Sequence, residues 1–323
     1  MRNLDEAVKS DGTLDDSRIW RREPLYQGMN GRWVERFYTD PEHSYIFKPL
    51  TNGESVDREA WVYRNVLPRF PETAYPKLLA ASPEGSGAKG WTIFEDLGPL
   101  RHEYRLEYAL GVAKRVARWH AAPAEQWPGL TVQGPKPGIA AIAADLLRRR
   151  EEAEGILGRL GLPQGQLGSE VLEAIQGKRY FRVNRLVLSH GDLHLGNYAA
   201  TEAGRVYLLD WEHTHLNLPY WDLYHLIDMS HPRFPKPMPP GDRMEILDAY
   251  RTEADKQGTP WERGVLFREY GRFAALFSLW MLLLIEGDLR RGDGVWTREG
   301  LLRQKEEAAA SLAGCLELLE AYG

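Results

Sequence analysis

The stretch that decides the fold is LVLSHGDLHLGNYAATEAGRVYLLDWE, running from Leu186 to Glu212. Two short apolar runs, Leu186-Val187-Leu188 and Val206-Tyr207-Leu208-Leu209, each end on polar residues. Runs of this length, rich in β-branched and aromatic side chains and bounded by Gly and polar clusters, read as buried strands. His190, Gly191 and Asp192 follow the first run, and Asn197 lies five positions beyond that Asp. Asp210, Trp211 and Glu212 follow the second, and Ala203-Gly204 marks the turn between them. The spacing predicts a strand pair with two hard oxygen ligands and a third carboxylate at one end.

Those residue types suit phosphoryl transfer. That reaction needs a carboxylate to orient the acceptor hydroxyl and take its proton, and an Asn and an Asp to hold Mg²⁺ against the triphosphate. The kinase catalytic loop reads H-R-D-L-x-x-x-N, with a metal-binding Asp further on. Here the letters are H-G-D-L-H-L-G-N, with Asp210 at the end of the next run. Asp192 is the expected base, and Asn197 and Asp210 are the expected metal ligands. Gly, Asp and Asn also populate ordinary turns, but chance would have to supply the spacing, the strand before and the strand-end Asp after.

With HGD-x-H-x-G-N followed by D-W-E, the stretch resembles the aminoglycoside phosphotransferase and choline kinase-like family, relatives of protein kinases that phosphorylate small molecules. The resemblance extends, landmark by landmark, over nearly the whole chain. It implies an α+β, bilobal, protein-kinase-like fold: a small antiparallel-sheet lobe over residues 1–97 and a larger, mainly helical lobe over 98–323. It also implies ATP and Mg²⁺ as cofactors and a small-molecule hydroxyl as acceptor.

Composition is compatible with this. At 323 residues the chain is long for one compact domain, and 43% hydrophobic residues with 11% aromatics supply a core. A net charge of −5 argues against a nucleic-acid partner. The single cysteine, Cys315, excludes an intramolecular disulfide and fits the cytoplasm. Ala274–Ile285, twelve residues interrupted only by Ser278, is too short to span a bilayer and reads as a buried helix. The polar N-terminus shows no secretory signal.

Along the chain, a β-rich region begins near Pro24, with Gly28 and Gly31 in a hairpin and Ser44–Lys48 as a further strand. A kinase covers the phosphates with a Gly-containing hairpin and presents a Lys from a following strand. Gly28-Met29-Asn30-Gly31 is not G-x-G-x-x-G, and an ordinary turn explains it as well. Lys48 closes its strand ahead of an acidic helix expected over Ser55–Leu67. The resemblance implies that Glu59 on that helix, with Glu54 as fallback, pairs with Lys48. It further implies an adenine-reading hinge at the Glu95 carbonyl and the Leu97 amide, and loop support from Asp222; His190 and Glu212 complete the supporting set. His120 is read as structural. Helices are expected at Tyr104–His120, Ile139–Leu160, Ser169–Ile175, Pro219–Asp228, Arg243–Lys256, Trp261–Leu289 and Thr297–Tyr322, with a Gly/Pro loop at Gly129–Gly138.

Two rival readings stand beside a small-molecule kinase. One is a kinase-like binding or regulatory protein with weak turnover, against which Asp192, Asn197 and Asp210 all speak. The other is a metal-dependent hydrolase using Asp192, Asp210 and His194 or His213. Gly191 in place of Arg, and only eight residues between Asp210 and Pro219, argue against a protein kinase. For the acceptor, Glu212, Asp222 and Asp228 with Trp211, Tyr220, Trp221 and Tyr224 predict a carboxylate and aromatic wall. Such a wall favours an amino-alcohol or amino-sugar; the alternative is that most of these aromatics are buried in the helical core.

Overall fold

The computed structural model describes residues 4–28, 30–50, 57–70, 74–162, 185–292 and 294–322. The chain divides into two compact units: one of residues up to Arg101 plus Ala199–His213, the other of His102–Tyr198 and the residues from Thr214 on.

The first unit is built on an antiparallel sheet of order β1-β2-β3-β5-β4. Its strands are β1 (Arg21–Gln27), β2 (Trp33–Asp40), β3 (His43–Pro49), β4 (Leu78–Ala81) and β5 (Trp91–Glu95). Alternation puts Phe37, Phe47 and Ile93 on one face, where they are buried together with Ala7 and Leu14. Helix α1 (Arg58–Asn65) follows the third strand and buries Glu59, Ala60, Val62 and Tyr63. The expected start of that helix and Glu54 lie outside the described residues.

Residues 199–213 join this unit by main-chain bonds. Arg101 and Ala200 form a two-way bridge, and the Leu208 amide donates to the Ala74 carbonyl at 2.8 Å. The two apolar runs of the deciding stretch do not pair with each other. β8 (Val206–Leu208) pairs with β7 (Tyr198–Ala200), a nearer apolar trio reached through a turn in which Gly204 has φ 77°. β6 (Val187–Ser189) instead pairs antiparallel with β9 (His215–Asn217), within a segment that reads as loop. The shorter β7–β8 hairpin closes at lower entropic cost than a loop from β6 to β8 would.

In the second unit the helices are α2 (Leu106–Ala121), α3 (Ile139–Arg148), α4 (Arg150–Arg159), α5 (Tyr220–Ile227), α6 (Pro240–Lys256), α7 (Arg263–Arg291) and α8 (Arg298–Tyr322). α2 buries Tyr108, Ala109, Val112, Ala113, Val116 and Ala117, the 3.6-residue stripe that predicts it. The single helix expected over Ile139–Leu160 is two: Arg149 leaves the helical region at φ −104°, ψ 32°. There its guanidinium turns to Glu152 at 2.9 Å, in a charged run with no apolar stripe to hold one axis. Glu262 caps α7, its carboxylate accepting from the Gly264 and Val265 amides. The Ala274–Ile285 run lies inside α7, with all but Met281 and Leu284 buried. The helix expected at Ser169–Ile175 falls outside the described residues. Cys315 is fully buried, as its place in an apolar helical pattern predicts. Among the described residues, no helix is long and apolar enough to cross a membrane.

Candidate active site

In the first unit one ammonium gathers three carboxylates. Lys48 lies one residue before the end of the third strand, at the position paired with Thr92. Its Nζ lies 2.9 Å from Glu59 Oε2, 2.6 Å from Asp210 Oδ1 and 3.7 Å from Glu212 Oε2. Burial alone would lower the Lys48 ammonium, but Asp210, Glu59 and Glu212 hold it well above the ordinary lysine value. Burial in turn pushes the Glu59 carboxyl up, and Lys48 only partly offsets this. Asp210 stands in the left-handed region at φ 58°. Asp tolerates that conformation better than most residues, and such strain collects where a side chain must be aimed.

The second unit holds the loop that follows the sixth strand. Asp222 lies fully buried beneath it. One Asp222 oxygen accepts from Ser189 Oγ at 2.6 Å and the Gly191 amide at 3.2 Å; the other accepts from the His190 amide at 2.9 Å and Trp119 Nε1 at 3.1 Å. His120 Nε2 lies 3.3 Å from the same carboxylate. Burial would raise the Asp222 carboxyl, but hydrogen bonding and charge from His120 with support from His190 and Ser189 hold it well below the usual range. The His190 ring faces inward, its Nδ1 accepting from the Asp192 amide at 3.4 Å.

Asp192 itself is partly exposed, with ligands on both oxygens. Oδ1 takes Lys136 Nζ at 2.9 Å; Oδ2 lies 3.3 Å from Asn197 Nδ2 and 3.5 Å from His194 Nε2. Asn197 Nδ2 also donates to the Asp192 carbonyl at 2.7 Å, which closes the loop on itself. Burial would raise the Asp192 carboxyl, yet Lys136, His194 and His225 hold it well below the ordinary value.

The phosphotransferase enzyme family model matches residues 35–264, most of the chain. The chain belongs to that family. Solved structures share the fold. The aminoglycoside phosphotransferase of Alicyclobacillus acidocaldarius is 15% identical, with a TM-score of 0.61 and coverage of 98% of this chain and 96% of that one. The choline kinase of Cryptosporidium parvum gives 15% identity, a TM-score of 0.57 and coverage of 98% and 95%. A macrolide 2′-phosphotransferase from Brachybacterium faecium gives 17%, 0.53, and 92% and 93%. No curated protein matches by sequence. The antiparallel sheet and helical unit are therefore those of a kinase-like α+β fold.

Within this family frame, some expected residues stand elsewhere than the sequence predicts. Glu212 belongs to the Lys48 group. The carboxylate and aromatic wall expected for the acceptor does not exist: Trp211, Tyr220, Trp221 and Tyr224 are buried to within 1% exposure, and every residue of α5 is buried. Asp228 is also buried, bound by Arg243 Nη2 at 2.7 Å and Tyr270 Oη at 2.5 Å. The segment is core, and its acids are taken up by buried partners, Asp222 by Ser189 and Asp228 by Arg243. Gly28 and Gly31 form a tight turn in which the Gly28 amide donates to Arg32 and the Gly31 amide to Gly28. Both amides are thus engaged inside the hairpin. Glu95 ends the fifth strand with its carboxylate on the Lys77 amide at 2.8 Å, and Leu97 follows in the segment leading to residue 101. His194 Nδ1 accepts from the Gly196 amide and its ring stacks on His231 at 4.5 Å. His213 Nε2 approaches Glu212 Oε1 at 3.4 Å. Among the described residues the group able to hold a metal is Glu59, Asp210 and Glu212, which contains no histidine and offers a soft-metal hydrolase nothing.

Lys136 is the residue the sequence hides. A lysine in a Gly/Pro loop reads as solvated charge, and no spacing rule ties it to a loop 56 residues later.

Asp222→Asn tests the support. The change takes acceptor capacity from several buried donors, so stability in urea falls by about 1–3 kcal/mol. Because the folded carboxyl is depressed, its contribution is present above the unfolded pKa near ~4 and is lost as pH falls below it. In Asp222→Asn that acid-side loss shrinks. A variant as stable as the parent at neutral pH, with the same acid profile, would remove Asp222 from this role.

Proposed function

We propose that this chain transfers the γ-phosphate of ATP to a hydroxyl of a small molecule, with Mg²⁺. The observation that carries this reading is Lys48 held between Glu59 and Asp210 at 2.9 and 2.6 Å, an ammonium fixed at a strand end as a triphosphate requires. Its three carboxylates outnumber the one ammonium among them. They offer only hard oxygens within 4.8 Å of one another, a donor set that suits a divalent cation such as Mg²⁺. Asp210 would hold that ion. Bound there, Mg²⁺ would neutralise charge on the phosphates.

In this reading Lys48 binds the α- and β-phosphates and Glu59 fixes its direction. Asp192 orients the acceptor hydroxyl and takes its proton as the phosphoryl group leaves ADP. Asp222 and His190 hold the loop that carries Asp192. The Glu95 carbonyl and Leu97 amide read the adenine, and the Gly28–Gly31 turn acts as a cover through its shape. The buried thiol of Cys315 agrees with a cytoplasmic setting.

The test is ADP release coupled to a panel of neutral, cationic and anionic hydroxyl compounds. At least one acceptor gives acceptor-dependent ADP release that EDTA abolishes and Mg²⁺ restores. No acceptor-dependent release together with no MgATP binding by calorimetry would sink the reading. Restoration by Zn²⁺ alone would point to a hydrolase.

A further inference from the structure

We propose that Lys136 is a positioning residue for the transfer, holding Asp192 through Oδ1 so that Oδ2 takes the acceptor's proton. This rests on the reading of Asp192 as the base. Lys136 lies between two prolines in Gly134-Pro135-Lys136-Pro137-Gly138. Proline fixes its own φ and restricts the residue before it, so this short arm is stiff. The arm is tied to the strand that delivers Asp192. The Leu216 amide of β9 donates to the Thr131 carbonyl at 2.8 Å, and β9 pairs with β6. Gly134 packs against the His215 ring so closely that a Cβ there would lie 2.5 Å from Nε2. Only glycine lets the arm approach that strand.

The end of the arm meets a built receptor. His225 is fully buried, and its Nδ1 lies 2.8 Å from the Trp221 carbonyl, an acceptor, so Nδ1 carries the ring proton. Burial, with Lys136 beside it, pushes His225 down to about 3, which keeps the ring neutral. Nε2 therefore presents a lone pair, 3.4 Å from Lys136 Nζ and 3.8 Å from Asp192 Oδ1. Without the ammonium, a bare imidazole nitrogen would face a carboxylate oxygen with no proton between them. Lys136 supplies protons to both and fixes the carboxylate plane. Among the described residues Oδ2 has the longer contacts, 3.3 Å to Asn197 and 3.5 Å to His194, and is the oxygen able to exchange them for a hydroxyl.

The experiment is a double-mutant cycle between Lys136→Met and Asp192→Asn on the full chain, with an acceptor found active for the parent. Lys136→Met lowers kcat roughly tenfold to a hundredfold, the scale of a misplaced catalytic group, and leaves the KM for ATP unchanged. Lys136→Arg, which keeps a donor in reach of Oδ1, restores kcat to within a few-fold. In the Asp192→Asn background Lys136→Met costs about nothing more, because its effect runs through Asp192. An equal cost in both backgrounds, or a rise in acceptor KM with kcat unchanged, would overturn the proposal in favour of direct contact with substrate. Parent-like kcat in Lys136→Met would also overturn it. Loss of fold in Lys136→Met leaves Lys136→Arg to decide, and an Arg variant that folds but stays as slow as Asp192→Asn rejects positioning by a cation. A parent without phosphotransfer would instead sink the assignment of function.

Discussion

Asp192→Asn lowers kcat by roughly 10²- to 10⁴-fold, the contribution of a positioned general base. The amide has nearly the shape of the carboxylate and keeps an oxygen for one of its partners, though its NH2 cannot accept from Asn197 Nδ2 as Oδ2 does. Lys136 at 2.9 Å can still find an oxygen, and the loop stays pinned from below by Asp222. What is lost is the proton acceptor, so nucleotide affinity stays near that of the parent while turnover falls. Steady-state ADP release and calorimetric MgATP binding, measured together, make the check. Turnover within a few-fold of the parent would show that the proton leaves by another route.

Asp210→Asn weakens Mg²⁺-dependent ATP binding and lowers kcat by roughly 10²- to 10³-fold, the scale on which preorganised charge stabilises a transition state. Asparagine is the informative change because residue 210 has φ 58°, which Asn tolerates and Ala does not. An alanine variant would mix backbone strain with loss of charge. Lys48 retains Glu59 at 2.9 Å, so the strand end stays in place and binding of ATP without metal changes less. Calorimetry with and without Mg²⁺ separates the two. Equal MgATP affinity in parent and variant would exclude Asp210 as a ligand.

The letters of the chain carried the site wherever chemistry is local in sequence. Asp192 and Asn197 are five apart on one loop, and Asp210 terminates an apolar run, so spacing alone brought them into view. Lys48 and Glu59 were legible in a weaker way, one as a strand end and the other as an acid on the next helix. The strand pairing was not legible. Leu186–Leu188 and Val206–Leu209 have the right period to pair, but the period is silent about which of several short apolar runs a strand will choose. Tyr198–Ala200 took Val206–Leu208 across the nearer turn, which costs less to close, and left the first run to His215–Asn217, a farther strand that no period announces.

What the sequence by itself determined is the family, from its HGD-x-H-x-G-N and D-W-E stretch, and the antiparallel sheet followed by helices. These follow from period, capping and turn chemistry, all of which act over a few residues. What only the tertiary structure decided is which side chains are inside. The aromatics and acids of Tyr220–Asp228 look like a binding wall by composition, yet all of them are core. α5 is buried on every side, and Asp228 finds Arg243 and Tyr270 only through packing. Lys136 runs the other way: a loop lysine by its letters, it is brought to Asp192 by a glycine that fits under His215 and a strand whose Leu216 pairs with Leu188. Burial and long-range pairing depend on the whole set of packed neighbours, and no window of sequence contains them.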